Sequence, residues 1–202
     1  VSGTIRFLKN IAGLWLVQEC RRDFLRRGQH FDYPTLARMA GDTTSFRTLI
    51  DTGHTSFAQP GDILQKIADV ARGTGEPIPE SPGQFVRACL ESLALTYRQR
   101  FETLESILGR RFDVLHIVGG GGQNTLLSQM TADAIGRPVV VGPYEATAMG
   151  NLLVQAMAMN QVRDLAHLRQ IVAGSFELMP YKPAAGSDWD RAAARPAVLC
   201  TK

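Results

Sequence analysis

Cysteine is scarce. The chain has three in 202 residues, Cys20, Cys89 and Cys200, odd in number and far apart. That excludes a scaffold built on disulfides and fits three plain thiols in a reducing cytoplasm. The four histidines, His30, His54, His116 and His167, share no ligand spacing with one another or with the cysteines, which argues against a zinc site. No apolar run approaches the roughly eighteen residues of a membrane-spanning helix. Net charge is low too: +3, and too dispersed to mark a nucleic-acid surface. The one concentration, Arg21, Arg22, Arg26 and Arg27, falls at the end of an expected helix, where cations suit the dipole. There is no internal repeat. The chain opens on Val1-Ser2-Gly3 instead of Met, so it is expected to be a piece of something longer. What remains is the composition of a soluble globular protein, 45% hydrophobic and 20% charged, with length for one domain or a little more.

Glycine is plentiful, and at one place concentrated. Phe112 to Val118 is a short apolar run with β-branched residues, long enough for a buried strand and too short for a helix. Gly119, Gly120, Gly121 and Gly122 follow, then Gln123-Asn124-Thr125 as capping side chains. Leu126, Leu127, Met130, Ala134 and Ile135 continue at helical spacing. Strand, glycine turn, helix start: such a turn offers free N–H groups and a positive dipole end to the polar edge of a nucleotide. The alternative is a tight strand–helix connection with no ligand; a single glycine would favour it, and four in a row favour a ligand. No Gly-Lys-Ser/Thr closes the loop, so it is not a Walker A motif, and the third glycine of a dinucleotide fingerprint would fall on Asn124.

Elsewhere the pattern is largely helical. Thr4 to Arg27 reads as one long helix, apolar almost all round and therefore central, ended by Gly28. Two polar residues, Asn10 and Gln18, interrupt its apolar surface, about 80° apart around the axis and ~12 Å apart along it. Buried amides need partners, which backbone carbonyls or ligands could supply equally well. Tyr33 to Ala40 is a short helix opened by Asp32 and Pro34. Leu49-Ile50-Asp51 reads as a brief strand and Thr52 to Pro60 as an exposed loop. A helix runs from Gly61-Asp62 to about Arg72, then a rigid connector through Pro77-Ile78-Pro79-Glu80-Ser81-Pro82. A strong helix from Gly83 to Leu108 carries Phe85, Cys89, Leu93, Tyr97, Phe101, Leu104 and Leu108 on one stripe. Past the glycines, Val139-Val140-Val141 suits a buried parallel strand. Gly142-Pro143-Tyr144-Glu145 leads into a helix from Ala146 to Asn160, whose small residues Ala146, Ala148 and Gly150 permit close packing. A last helix spans Leu165 to Ala173; beyond Pro180 a loosely attached helix or frayed tail is expected. The alternation predicts an α/β layout with a ligand at the carboxyl edge of the strands.

Several of these stretches resemble a known family in matching order. They are Thr4 to Glu19, Pro77-Ile78-Pro79-Glu80-Ser81, Val118-Gly119-Gly120-Gly121-Gly122-Gln123-Asn124, Thr131-Ala132-Asp133-Ala134, and Gly142-Pro143-Tyr144-Glu145-Ala146-Thr147-Ala148-Met149-Gly150-Asn151. Together they resemble the later part of the C-terminal domain of rhamnulokinases, which are FGGY carbohydrate kinases of the actin-like ATPase superfamily. The likeness covers roughly residues 4 to 182; it does not extend to residues 183–202, which read as a C-terminal tail. It implies the ribonuclease H-like half of a two-domain kinase, lacking its first strands, with ATP in the cleft between the halves. It implies ATP contacts from Gln18, Gly119, Gly120, Gly121 and Asn124, and a sugar contact from Asn10. It also implies a ketose substrate, such as L-rhamnulose going to its 1-phosphate in rhamnose catabolism, with Mg²⁺ accompanying ATP.

The sequence departs from the family in three respects. Gly122 stands where relatives more often carry Ser, Ala or Cys, which should loosen the turn. His54-Thr55-Ser56 replaces an acidic pair before Phe57. The family's catalytic Asp, its phosphate loops and its N-terminal sugar-binding domain are expected upstream of Val1, as a missing partner domain; Asp42, Asp51 and Asp62 do not sit in the matching motif. No catalytic residue or metal ligand is therefore expected on this chain, and alone it should be inactive. Two other readings compete: a non-catalytic nucleotide-binding or sugar-sensing module, and an oxidoreductase using Glu145 as a ribose-binding acid. Neither nucleic acid nor membrane is an expected partner.

Overall fold

The computed structural model describes residues 7–184, 186 and 188–196. The expected helix start at Thr4 and the thiol Cys200 lie outside them. The chain divides into two compact units, one running up to Leu93 and taking in Arg195, the other Ala94–Ala194.

In the first unit α1 is Trp15–Arg26, α2 Tyr33–Gly41 and α3 Ile63–Gly73; α4, Pro82–Leu108, begins here and continues into the second. The long opening helix is shorter than its apolar pattern suggests. Phe7 to Ala12 is not helical, Phe7 and Leu8 are exposed, and Gly13 takes a left-handed φ of +57° just before the N-cap Leu14. Glycine is a poor helix interior residue, and an apolar run becomes helix chiefly where it has a face to bury. Nor is α1 the element enclosed on every side. That is α4, where Ala88 through Thr96 are all buried, so the single stripe read from sequence understates its contacts.

α1 instead buries two carboxylates with its apolar face. Glu19 accepts the N–H of Gly61 (3.3 Å) and Asp23 that of Leu64 (3.1 Å), at the start of α3. This matters because Asp62, the expected opener of α3, has a left-handed φ of +47° and makes no capping bond. A helix N-terminus needs acceptors, and here they come from another helix. Arg22 pairs with Glu19, and Arg26 and Arg27 with Asp23, so the arginine cluster answers buried carboxylates as well as a helix dipole.

Leu49 and Ile50 are buried and Asp51 is half-buried, but the stretch forms no strand. Its backbone is satisfied by side chains: Leu49 donates to Glu76 Oε2 (3.0 Å) and Ile50 to Ser92 Oγ (2.9 Å). The loop after it is not wholly exposed either. His54 opens a 3-10 turn at Thr55–Ala58, accepting the N–H of Ser56 (3.2 Å), and Phe57 is buried.

The second unit is built on a three-stranded sheet: β1 Leu115–Ile117, β2 Val139–Val141 and β3 Met179–Tyr181. β1 and β2 are parallel, as the sequence suggests, in the register Leu115 with Val139 and Ile117 with Val141. β3 runs antiparallel to β2 and was not foreseen. Pro180 at its centre lacks an N–H and argues against a strand, but an edge strand tolerates it. α5, Thr125–Ile135, packs on β2 and β3; Ala132, Val139 and Val141 are fully buried, with Leu115, Ile117, Ile135 and Tyr181 around them. α6, Ala146–Ala158, has no buried residue despite its small side chains. α7 spans Leu165–Ser175.

Residues 188–196 are held where a loosely attached helix or frayed tail was expected. α8, Asp188–Ala193, packs on α5, and Asp190 pairs with Arg98 (2.7 Å). In the first unit Arg195 grips Glu76 with two nitrogens and also donates to the carbonyl of Phe46.

Candidate functional site at the carboxyl edge of the parallel strands

Two loops leave the carboxyl ends of the parallel pair. The one after β1 carries the four glycines; the one after β2 carries Gly142-Pro143-Tyr144-Glu145. They are pinned to each other by Gly142 N–H on the carbonyl of Ile117 (2.7 Å) and Gly119 N–H on that of Pro143 (3.1 Å). The glycine segment is a single 3-10 turn, Gly120–Gln123, leading directly into α5.

The four glycines prove to be of three kinds. Gly119 has φ +84° and ψ −179°, a backbone region essentially reserved for glycine. Gly122 is buried, and a Cβ there would stand 2.5 Å from Cγ1 of Val141 and 3.4 Å from the Tyr144 ring. It therefore fits the turn tightly and does not loosen it. Gly120 and Gly121 are exposed; neither has a positive φ, and a Cβ on either would meet nothing within 4 Å. Nothing in the packing of the chain around them calls for glycine.

Asn124 is the N-cap of α5: its Oδ1 accepts the N–H of Leu127 at 2.9 Å. That bond fixes the side chain and leaves its amide NH₂ for another partner. The structure thus collects Gly119, Gly120, Gly121 and Asn124 on one turn. Gln18 and Asn10 belong to the other unit. Gln18 lies on the exposed face of α1; Asn10 is exposed in the non-helical stretch before it. The expected relation between them, two amides on one buried helix, does not hold. Tyr144 was overlooked among the loop residues: its ring flanks Gly122, and its hydroxyl contacts Sδ of Met179 at 3.8 Å. An aromatic residue one step past a Gly-Pro turn was the available signal. Among the described residues no group of three His, Cys, Asp or Glu side chains could hold a metal ion.

Comparison with known proteins gives this geometry a family. Residues 1–159 match the C-terminal domain of the FGGY family of carbohydrate kinases. A rhamnulokinase of Bacteroides thetaiotaomicron is 46% identical over 192 residues, 95% of this chain and 39% of the relative. The rhamnulokinase of Bacillus subtilis is 36% identical over 182 residues, 90% of this chain and 37% of the relative. The chain thus spans under two-fifths of the length of these curated relatives. Among solved structures, a xylulose kinase from Rhodospirillum rubrum superposes with a TM-score of 0.60 at 18% identity, over 88% of this chain and 35% of that one. Plasmodium falciparum glycerol kinase with ADP gives 0.59 at 15%, over 89% and 36%. These two likenesses speak for the fold, the α/β architecture of actin-like ATPases. With its glycine turn on the carboxyl edge of a parallel pair and a sequence match over most of its length, the chain belongs to the FGGY family of carbohydrate kinases, within their C-terminal domain.

Proposed function

We propose that this chain is the nucleotide-binding part of an ATP-dependent sugar kinase that converts a ketose, L-rhamnulose first among them, to its 1-phosphate in rhamnose catabolism. The observation that carries the nucleotide reading is the pair Gly120 and Gly121, two glycines that no neighbouring atom of the chain requires. At the carboxyl edge of parallel strands, a missing side chain that internal packing does not explain is room for a ligand. Gly119 sets the turn, and Asn124 offers its free amide beside it. The ketose reading rests on relatives named rhamnulokinase at up to 46% identity. The proposed domain covers residues 1–182, with 183–202 as a C-terminal tail, and the remainder of the kinase, including its N-terminal domain, is the partner. A cytoplasmic setting goes with this reading; among the described residues no helix is long and apolar enough to cross a membrane.

Phosphoryl transfer depends on placing acceptor, phosphate and metal in line, and Mg²⁺ bound with ATP would neutralise charge on the phosphates. No residue described here is assigned to the metal. Gln18 and Asn10, both exposed, are proposed to contact ATP and sugar respectively.

In the full-length kinase, Gly120→Val puts a branched side chain where the nucleotide should lie. It is expected to weaken ATP binding in calorimetry while leaving the melting temperature near wild type. Unchanged affinity would end the assignment. Asn10→Ala should raise the KM for sugar and Gln18→Ala that for ATP, each by a few-fold to about tenfold, the ~0.5–1.5 kcal/mol of one hydrogen bond to an uncharged partner. The 202-residue chain alone is expected to show no turnover with Mg-ATP and a panel of ketoses. Turnover that Gly120→Val abolishes would instead put the catalytic base on this chain, among Asp42, Asp51 and Asp62.

A further inference from the structure

Cys20 on α1 and Cys89 on α4 stand 69 positions apart in sequence, yet their Sγ atoms are 4.0 Å from each other. Both side chains are buried, at 0% and 1% exposure, and both thiols are free. Buried cysteines usually behave as small apolar groups. These two instead present sulfur to sulfur across two helices of the same compact unit. A disulfide needs its sulfurs about 2.05 Å apart, so each would have to move by about 1 Å. Rotation of short side chains and a small shift of two packed helices can supply that.

We propose that Cys20 and Cys89 form a redox modification site, which a small disulfide oxidant such as oxidised glutathione converts to a buried bond fastening α1 to α4. The thiolate of one cysteine attacks the glutathione S–S bond, giving a mixed disulfide and one released glutathione thiolate. The second cysteine, as thiolate, then attacks the protein sulfur of that mixed disulfide and expels the second glutathione. Two protein thiols are oxidised, one glutathione disulfide is reduced to two glutathione thiols, and the two protons end on those thiols.

The surroundings set the rate. Its hydrogen bond with Cys89, then burial, then the nearby charges of Asp23 and Glu19 hold the Cys20 thiol well above its ordinary pKa. A protonated, enclosed thiol is a poor nucleophile, so reaction waits for local opening of α1 and should take minutes to hours. Once formed, the bond closes a long loop and holds in place the helix that carries Gln18 on its exposed face.

The test treats the purified chain with oxidised glutathione, quenches with N-ethylmaleimide and maps peptides by mass spectrometry. A peptide pair joined through Cys20 and Cys89 is expected, lost on adding dithiothreitol and absent from Cys89→Ala. The melting temperature should rise by about 5–15 °C on oxidation and fall back on reduction. Recovery of both cysteines separately, alkylated or as glutathione adducts, would overturn the proposal, as would a bond from either to Cys200. A joined pair with an unchanged melting temperature would overturn the fastening role.

Discussion

Arg87→Met is expected to destabilise the protein by about 3–5 kcal/mol at neutral pH, because it strands a buried carboxylate. Arg87 Nε lies 2.7 Å from Glu91 Oε1, and the Glu91 side chain is 1% exposed. The other carboxylate oxygen accepts the N–H of Phe46 at 2.8 Å, a residue with φ +53° whose backbone is thereby held. The same guanidinium donates to the carbonyls of Ala40 (2.9 Å) and Gly41 (3.1 Å) at the end of α2 and to Ser45 Oγ (2.6 Å). Methionine keeps most of the volume and removes every donor. Burial raises the Glu91 carboxyl above its ordinary value, and Arg87 is the main force opposing that rise.

The pH dependence separates charge from lost bonds. A carboxyl whose pKa is raised on folding favours the fold fully below its unfolded value, here about 4.5, and loses that contribution as pH climbs through the folded value. Without Arg87 the folded value moves higher still, so the penalty grows over a wider range above 4.5. Urea midpoints for wild type and Arg87→Met at pH 4.5 and 7.5 should therefore differ least in acid. An equal deficit at both pH values would assign the loss to the α2 carbonyls and Ser45, leaving Glu91 with no part in it.

Arg87 and Glu91 also show how far the sequence could be read. At spacing i, i+4 on an expected helix, their pairing was available; their burial was not, because it depends on Phe46, Ala40 and Gly41, more than forty positions away. The same holds for Leu49 and Ile50. Apolar, with Ile50 β-branched, they read as strand, yet their N–H groups end on Glu76 and Ser92, partners 27 and 42 residues distant. Where the signal was local the reading held. Asp32 followed by Pro34 opens α2, and the Asp32 carboxyl accepts Thr35 N–H at 2.8 Å; hydrogen bonding to the Thr35 side chain, then to its backbone, holds the carboxyl below its ordinary value. Asn124 caps α5, and three valines make a central strand. The glycine turn falls between these cases. Its place after a strand was legible, but four identical letters could not say which glycine serves conformation, which serves close packing and which lies open.

That division can be tested at its tightest point. Gly122→Ala alone is expected to cost about 1–3 kcal/mol, the usual penalty for forcing a carbon into a filled core. The carbon would sit 2.5 Å from Cγ1 of Val141, a central-strand residue at 1% exposure with little room to retreat. Val141→Ala alone removes two buried methyls and should cost about 2 kcal/mol, part of it the cavity left behind. The double variant moves volume from the strand to the turn. Its cost should be smaller than the sum of the two singles by at least about 1 kcal/mol, since neighbours sharing one space do not add. Denaturant titration of the four proteins gives the cycle directly. Strict additivity would mean that Gly122 is kept for some reason other than the valine opposite it. With coupling, glycine at position 122 is explained by the large residue facing it from β2. Nucleotide affinity supplies the second readout. If Gly120 and Gly121 present the open face, Gly122→Ala should weaken ATP binding in the full-length kinase by displacing the turn, and Val141→Ala on top of it should recover much of that loss.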